Sequence, residues 1–487
     1  MVLKSQTQAR RLIMKNVHKK FLEFIGFSDV EAESMLEDWK KAADLLELDE
    51  KDIVFAIKEW IPKHWNMKLK GIRQMLCANI REVVDIFKIE DYKKDGYGII
   101  YGVLPSVPTN YYAMKYGGGK IYVGYPHYQL ISVMGALFHK ENKYIDRAEA
   151  LGMTQGCKHC ALNKTRIGTE SEGLFAQPDV VWSWGYTCDE APKTDEFIKC
   201  SLNKNWNYIV TRLPHDTNLG ERDNEKRDRV EYVAESIKDG QRQIEKTLDF
   251  TVSDEDMWKA VSDVSRYFKK IHRLNELNCK LPRQLVSGSE MSLIAQPIHI
   301  PFNTGLEHHE TALDTLISEI EKKGEEADGP KRPKIGCYFA SYSLPWISRL
   351  FLENDIDLSF STIMSFTDRQ FEASAYDDPF MVIAEQWLGM PLAVNASYEM
   401  EMVCEKIEKY KPDAMLFGFF NFDRWMGGHQ KMMVSRVEEK TSVPHFYIEG
   451  NFWDDRNYGI DDLATRIESI SNYVKMNKML DGVGDDE

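Results

Sequence analysis

Three cysteines are the most chemically suggestive residues in this chain. Cys157 and Cys160 form a CxxC pair in Gly156-Cys157-Lys158-His159-Cys160, and Cys188 follows in Gly185-Tyr186-Thr187-Cys188-Asp189-Glu190. A CxxC pair can ligate zinc or an iron–sulfur cluster, act as a redox dithiol, or hold two thiols that bind nothing. The redox reading wants the pair at a strand-to-helix turn near the start of a compact βαβ fold, and here it lies far into the chain. A zinc knuckle needs a second pair close by, which the sequence lacks. Cys188 favours ligation. It follows an apolar run ending at Trp184 and precedes a helical pattern, so it falls at the carboxyl end of a strand, where open α/β sheets place ligands. A helix N-terminus there favours the thiolate that a metal needs. Cys77, Cys200, Cys279 and Cys404 lie in helical patterns and Cys337 in a strand, and simple burial is expected for all five.

A second polar cluster is Asn421-Phe422-Asp423-Arg424-Trp425-Met426-Gly427-Gly428-His429-Gln430. Asp423, Arg424 and His429 are ionisable groups past another strand, and the paired glycines let a ligand or backbone come close. The plainer reading is an N-cap carboxylate, a surface arginine and a helix-start histidine. His429 is the candidate catalytic acid or base, with no motif behind it. GxGxxG, Walker A, GxSxG and HExxH patterns are absent from the sequence. Glu449-Gly-Asn-Phe-Trp-Asp454-Asp455-Arg456 is a further polar strand end that could bind a ligand, with an ordinary solvated loop the preferred reading, and His308-His309 reads as a solvated turn.

The elements that must position these residues are legible in outline. Residues 1–95 read as a helical N-terminal region, with capping-box spacing at Ser28 and Glu31. Residues 96–225 read as a first α/β domain carrying the cysteines, with short apolar strands at 99–103, 120–123, 180–184 and 208–210. Residues 226–330 are helical. Val230, Val233, Ile237, Ile244 and Leu248 mark one face of a long helix, and a polar Gly- and Pro-bearing linker spans 324–333. Residues 331–487 read as a second α/β domain, with strands at 334–339, 358–363, 414–420 and 445–448 and helices at 398–410 and 460–474. The fold class is α/β: two Rossmann-like parallel-sheet domains with helical insertions, behind a helical N-terminal region.

Composition narrows the partners. The 487 residues include 62 Lys and Arg against 77 Asp and Glu, a net charge of −15, so neither nucleic acid nor an anionic membrane is expected to bind. A stretch of about 18 apolar residues, as a membrane span requires, does not occur. The basic N-terminus has interspersed apolar residues, unlike a signal-peptide core, so a cytoplasmic protein with reduced thiols is expected.

The chain resembles the iron–sulfur subunits of the 2-hydroxyacyl-CoA dehydratase and benzoyl-CoA reductase family, the 2-hydroxyglutaryl-CoA dehydratase D-component type. The matching stretches are Cys160-Ala-Leu-Asn-Lys-Thr-Arg-Ile-Gly168, Pro178-Asp-Val-Val-Trp182 with Thr187-Cys188-Asp189, Asp378-Pro-Phe380, Lys411-Pro-Asp-Ala-Met-Leu416, Glu438 to Glu449, Asp454-Asp-Arg456 and Thr465-Arg-Ile-Glu468. The likeness runs from roughly residue 95 to 475. It implies a heterodimer with a homologous second subunit, a [4Fe–4S] cluster between two α/β domains, and a separate ATP-hydrolysing iron–sulfur activator that delivers one low-potential electron. In the dehydratases that electron makes a ketyl radical anion of a CoA thioester, which expels the hydroxyl group. In the reductases electrons enter an aromatic thioester ring. A dry, cysteine-bound cluster can relay such an electron.

The resemblance carries cluster ligation onto Cys160 and Cys188. The family's third cysteine falls where this sequence has Asp423. Asp423 ligates iron as an oxygen donor, or Cys157 supplies the missing thiolate, or the subunit holds no cluster, or an altered one, and relies on its partner; the preference of iron in these clusters for thiolate counts against the first. The expected function is an iron–sulfur subunit of an ATP-activated radical enzyme dehydrating a (R)-2-hydroxyacyl-CoA. The alternatives are a benzoyl-CoA reductase-type subunit or a cluster-free partner subunit.

Overall fold

The computed structural model describes residues 17–103, 108–153, 159–185, 190–212, 227–325, 330–338, 342–362, 376–388, 396–419, 424–457 and 459–484. The principal elements begin with helices α1 (Asp29–Leu45) and α2 (Lys70–Ile86). Next come β1 (Gly98–Gly102), β2 (Ile121–Gly124), α3 (Asn142–Ala150), α4 (Ala161–Glu172), β3 (Val180–Gly185), α5 (Glu190–Phe197) and β4 (Tyr208–Arg212). A helical stretch follows, with α6 (Arg227–Leu248), α7 (Asp254–Lys280) and α8 (Glu307–Glu325). The last part contains β5 (Lys334–Cys337), β6 (Asp357–Ser361), α9 (Pro379–Leu388), α10 (Ala396–Tyr410), β7 (Ala414–Phe419), α11 (Arg424–Lys440), β8 (His445–Gly450) and α12 (Ile460–Gly484).

The expected capping box starts α1: Ser28 Oγ accepts from the Glu31 amide and the Glu31 carboxylate accepts from the Ser28 amide. The buried residues Ala32, Leu36, Trp39, Ala42 and Ala43 then recur every three or four positions, the stripe of a helix packed on a core. Helix α2 is capped from outside its own sequence. The Glu319 carboxylate on α8 accepts from the amides of Lys70 and Gly71, each at 2.9 Å. Gly71 makes this approach possible, because a Cβ there would lie 2.7 Å from the Leu316 backbone.

The eight strands expected from the sequence form two four-stranded parallel sheets, ordered β2-β1-β3-β4 and β6-β5-β7-β8. The two orders are the same when read from the first strand of each set, so the coarse duplication extends to topology. Strands buried on both faces read as short continuous apolar runs, and the β2 and β3 residues are nearly all buried. In each sheet the order reverses beside the first strand, between β1 and β3 and between β5 and β7. Crevices outside the carboxyl ends of strands at such reversals are where open α/β sheets bind ligands.

Aromatic residues tie the two parts of the chain together. Trp182 and Trp184 share one face of β3 and stack with ring centroids 4.6 Å apart. Trp184 stacks in turn on Trp387 of α9, at 5.6 Å and an interplanar angle of 5°. Helix α9 lies between β6 and β7 in sequence, so the second sheet's chain closes over the first sheet.

Some expectations need correction. His309 is fully buried, edge-on to Phe302 on the inner face of α8, not in a solvated turn. Cys200 is exposed rather than buried. Helix α12 continues to Gly484, ten residues past the expected end at 474. Of the proposed linker, residues 326–329 lie outside the described residues.

Candidate metal centre

Cys160 is the residue immediately before α4 and is half-buried. Its side chain does not cap that helix. The cap comes from Glu190, the first residue of α5, whose Oε2 accepts from the Cys160 amide at 2.9 Å and from Asn163 Nδ2 at 3.2 Å. The other oxygen of Glu190 lies 3.6 Å from His159 Nδ1. Glu190 stands two residues after Cys188. One carboxylate therefore fastens the chain just past Cys188 to the backbone of Cys160. Cys157, Cys188 and Asp423 themselves lie outside the described residues.

The two helices are locked a second time, further in. Arg166 of α4 and Asp195 of α5 form a wholly buried ion pair, and Arg166 Nη1 also donates to the Ala191 carbonyl at 3.1 Å. Trp206 Nε1 donates to Asp195 at 2.9 Å. Helix α4 also packs so tightly on α3 that a Cβ on Gly168 would run into the Tyr144 carbonyl oxygen. Three contacts thus fix the α4 N-terminus, which carries the positive end of the helix dipole beside Cys160.

His429 belongs to a different cluster. It lies on α11, past β7, in the second sheet, and is buried. Its Nε2 is 2.9 Å from Glu399 Oε2 on α10, and the Tyr338 hydroxyl donates to Glu399 Oε1 at 2.9 Å. Tyr338 follows β5, so this relay spans the reversal point of the second sheet. Burial, helped by Glu399, holds the Tyr338 hydroxyl well above its usual range. Lys406, also on α10, is buried and donates to the Thr362 carbonyl at 2.9 Å, and burial pulls its ammonium down to about 7. His429 is therefore an interior histidine hydrogen-bonded to a carboxylate, more than one turn into α11 rather than at its start.

The other cysteines behave largely as expected. Burial pushes Cys77, Cys279 and Cys337 up to about 12, which keeps them protonated and inert. The segment at 454–456 does not. Asp454 is buried, Asp455 accepts from Asn142 and Arg456 reaches Glu149 at 2.9 Å, so this stretch is a contact with α3 rather than a solvated loop. Sequence reasoning also missed Glu190 and Glu399. An acidic residue in the first turn of a helix is ordinary, and only its partner across space gives it a role.

Residues 123–472 match the family described as 2-hydroxyglutaryl-CoA dehydratase, D-component. The chain belongs to that family. A stretch of 173 residues is 23% identical to one of the subunits of benzoyl-CoA reductase from Thauera aromatica. That stretch covers 33% of this chain and 40% of the relative's length. Among the described residues, no helix is long and apolar enough to cross a membrane.

Proposed function

We propose that this chain is the iron–sulfur subunit of an ATP-activated radical enzyme acting on acyl-CoA thioesters, and that it dehydrates a (R)-2-hydroxyacyl-CoA together with a homologous second subunit. The observation that carries the proposal is the Glu190 carboxylate on the Cys160 amide, which joins the segments bearing Cys160 and Cys188 at the reversal point of the first sheet. A ligand site needs its donors brought together on rigid elements, and this bond, with the Arg166–Asp195 pair behind it, supplies that rigidity.

The donor chemistry suits a [4Fe–4S] cluster. Cys160 and Cys188 would hold it through thiolates, with Cys157 as the third thiolate or Asp423 as its oxygen alternative. When bound, the cluster supplies one electron at low potential. The chain's part is to seat the cluster at a helix N-terminus and screen it from water with the buried face of α4. The negative charge of Glu190, one hydrogen bond from a ligand's backbone, opposes further electron uptake and so keeps the potential low. The partners in this reading are the homologous subunit and an ATP-hydrolysing iron–sulfur activator, and a cytoplasmic location goes with it.

The likeness to a benzoyl-CoA reductase favours a second reading, reduction of an aromatic acyl-CoA with the same ligand set. Iron and acid-labile sulfide in anaerobically purified protein test the common core. About four irons per chain are expected, lost in Cys160→Ala and Cys188→Ala. Either Cys157→Ala or Asp423→Ala will identify the third ligand. Wild type that folds without iron would instead leave a cluster-free partner subunit. Activity with (R)-2-hydroxyacyl-CoA against benzoyl-CoA then separates the two reactions.

A further inference from the structure

A second cluster of ligand-type side chains lies away from the cysteines, where the chain before α3 meets the chain after β8. His139, Glu141 and Asp455 each direct one donor atom into a common space, all within 4.8 Å of one another. His139 Nε2 is 2.8 Å from Asp455 Oδ2, and Asn142 Nδ2 donates to Asp455 Oδ1 at 2.7 Å. The His139 ring is fixed from behind by stacking on Trp60, with centroids 4.2 Å apart and planes 12° from parallel. His139 adopts a left-handed backbone, φ 53°, which turns the chain so that residues 139 and 141 both face Asp455.

Glu141 is the telling residue. It is 2% exposed, and neither carboxylate oxygen has a hydrogen-bond partner among the described residues. A buried, unpaired carboxylate is costly, and native structures avoid it unless something binds there. The cations next to these residues in sequence are engaged elsewhere. Arg456 pairs with Asp454, Glu149 and Asp146, and Lys140 with Asp52.

We propose that His139, Glu141 and Asp455 form a binding site for a divalent first-row transition ion. One imidazole nitrogen and two carboxylates suit Zn2+, Mn2+ or Fe2+, whereas Ca2+ and Mg2+ favour all-oxygen sites. Metal–ligand bonds of about 2.1 Å set neighbouring donors about 3 Å apart, a spacing the His139 and Asp455 atoms already have. The two carboxylates balance the charge of the ion. Because Asp455 follows β8 while His139 and Glu141 precede α3, the ion pins the second sheet's chain to the first. This site shares no ligand with the cysteine centre and stands whether or not that centre holds iron.

Mn2+ is the probe, because it is a hard ion that thiolates bind poorly. Free Mn2+ is counted by its paramagnetic resonance signal as the anaerobically purified full-length protein is titrated. One Mn2+ per chain is expected, displaced by Zn2+. Affinity falls about 10–100-fold or more in Glu141→Gln and Asp455→Asn, which keep the shape, and is unchanged in Cys160→Ala. His139→Asn, tolerant of the left-handed backbone, carries the same test if Glu141→Gln does not fold. Absence of stoichiometric binding in wild type, or binding that survives all three substitutions, overturns the site.

Discussion

Arg166 and Asp195 bear the largest energetic consequence of any single pair near the cysteines. Both are wholly buried, and the arginine lies inside the Cys160-to-Gly168 stretch that carries the family resemblance. Taking two charges out of water is expensive, and their mutual attraction roughly balances that expense only while both are present. Arg166→Met should therefore lower unfolding stability by about 3–5 kcal/mol, because Asp195 is left buried without its cation and with the Trp206 indole as its remaining donor. Arg166→Met with Asp195→Leu should recover much of the loss. Urea unfolding of the two proteins checks this, and a double variant no more stable than the single would refute the account. Cys160 could be picked out of the sequence because cysteine spacing is itself a chemical signal. Asp195 and Glu190 could not, since a carboxylate on a helix declares nothing until its cation or amide partner is known.

Helices and strands were legible to different depths. Each strand emerged from the sequence within about two residues of its ends, most plainly β2 and β3, which are buried on both faces and read as unbroken apolar runs between turns. Helix faces misled where a polar residue sits on the apolar stripe. Leu306, His309, Ala312, Leu313, Leu316 and Ile320 are all buried at the spacing of one face of α8, and position outweighed the polarity of His309. Close helix packing was invisible in advance. Gly168 looked like an ordinary helix residue, yet it is where α4 meets the backbone of α3. Gly168→Ala should destabilise by about 1–3 kcal/mol or more, since a backbone carbonyl cannot swing aside as a side-chain tip can. Under the proposed cluster ligation by Cys160, it should also lower the iron content by shifting the α4 N-terminus. Gly173→Asn, at the left-handed end of the same helix with open space around it, should change neither by much. Thermal unfolding and iron content of the two variants, side by side, decide whether packing rather than helix propensity makes Gly168 necessary.

The interior of the whole molecule holds many titratable groups, and their signs predict how stability follows pH above neutrality. Lys406 is the clearest case. Burial pulls it from 10.5 to about 7, with Glu399 and Glu405 resisting and Lys409 assisting. Between about pH 7 and 10.5 the unfolded chain thus binds a proton at this position that the folded chain has released. Stability rises with pH wherever the unfolded state holds more protons, so Lys406 makes the protein more stable as pH climbs from 7, by at most about 1.4 kcal/mol per unit. Lys115 and Lys334, also pulled down by burial, add in the same direction. The thiols oppose them. Cys77, Cys279 and Cys337 stay protonated to about 12 when folded but ionise from about 9 when unfolded, so above pH 9 stability turns down. The buried tyrosines, Tyr101, Tyr122 and Tyr267 among them, steepen the fall past 10. The urea midpoint should therefore rise between pH 7 and 9 and fall beyond. In Lys406→Met the rise should be shallower, so the stability of the variant relative to wild type should be greatest near pH 7 and shrink steadily toward pH 9. A difference between the two proteins that stays constant across that range would mean that Lys406 remains charged in the folded state, held by Glu399 and by its bond to Thr362 against the pull of burial.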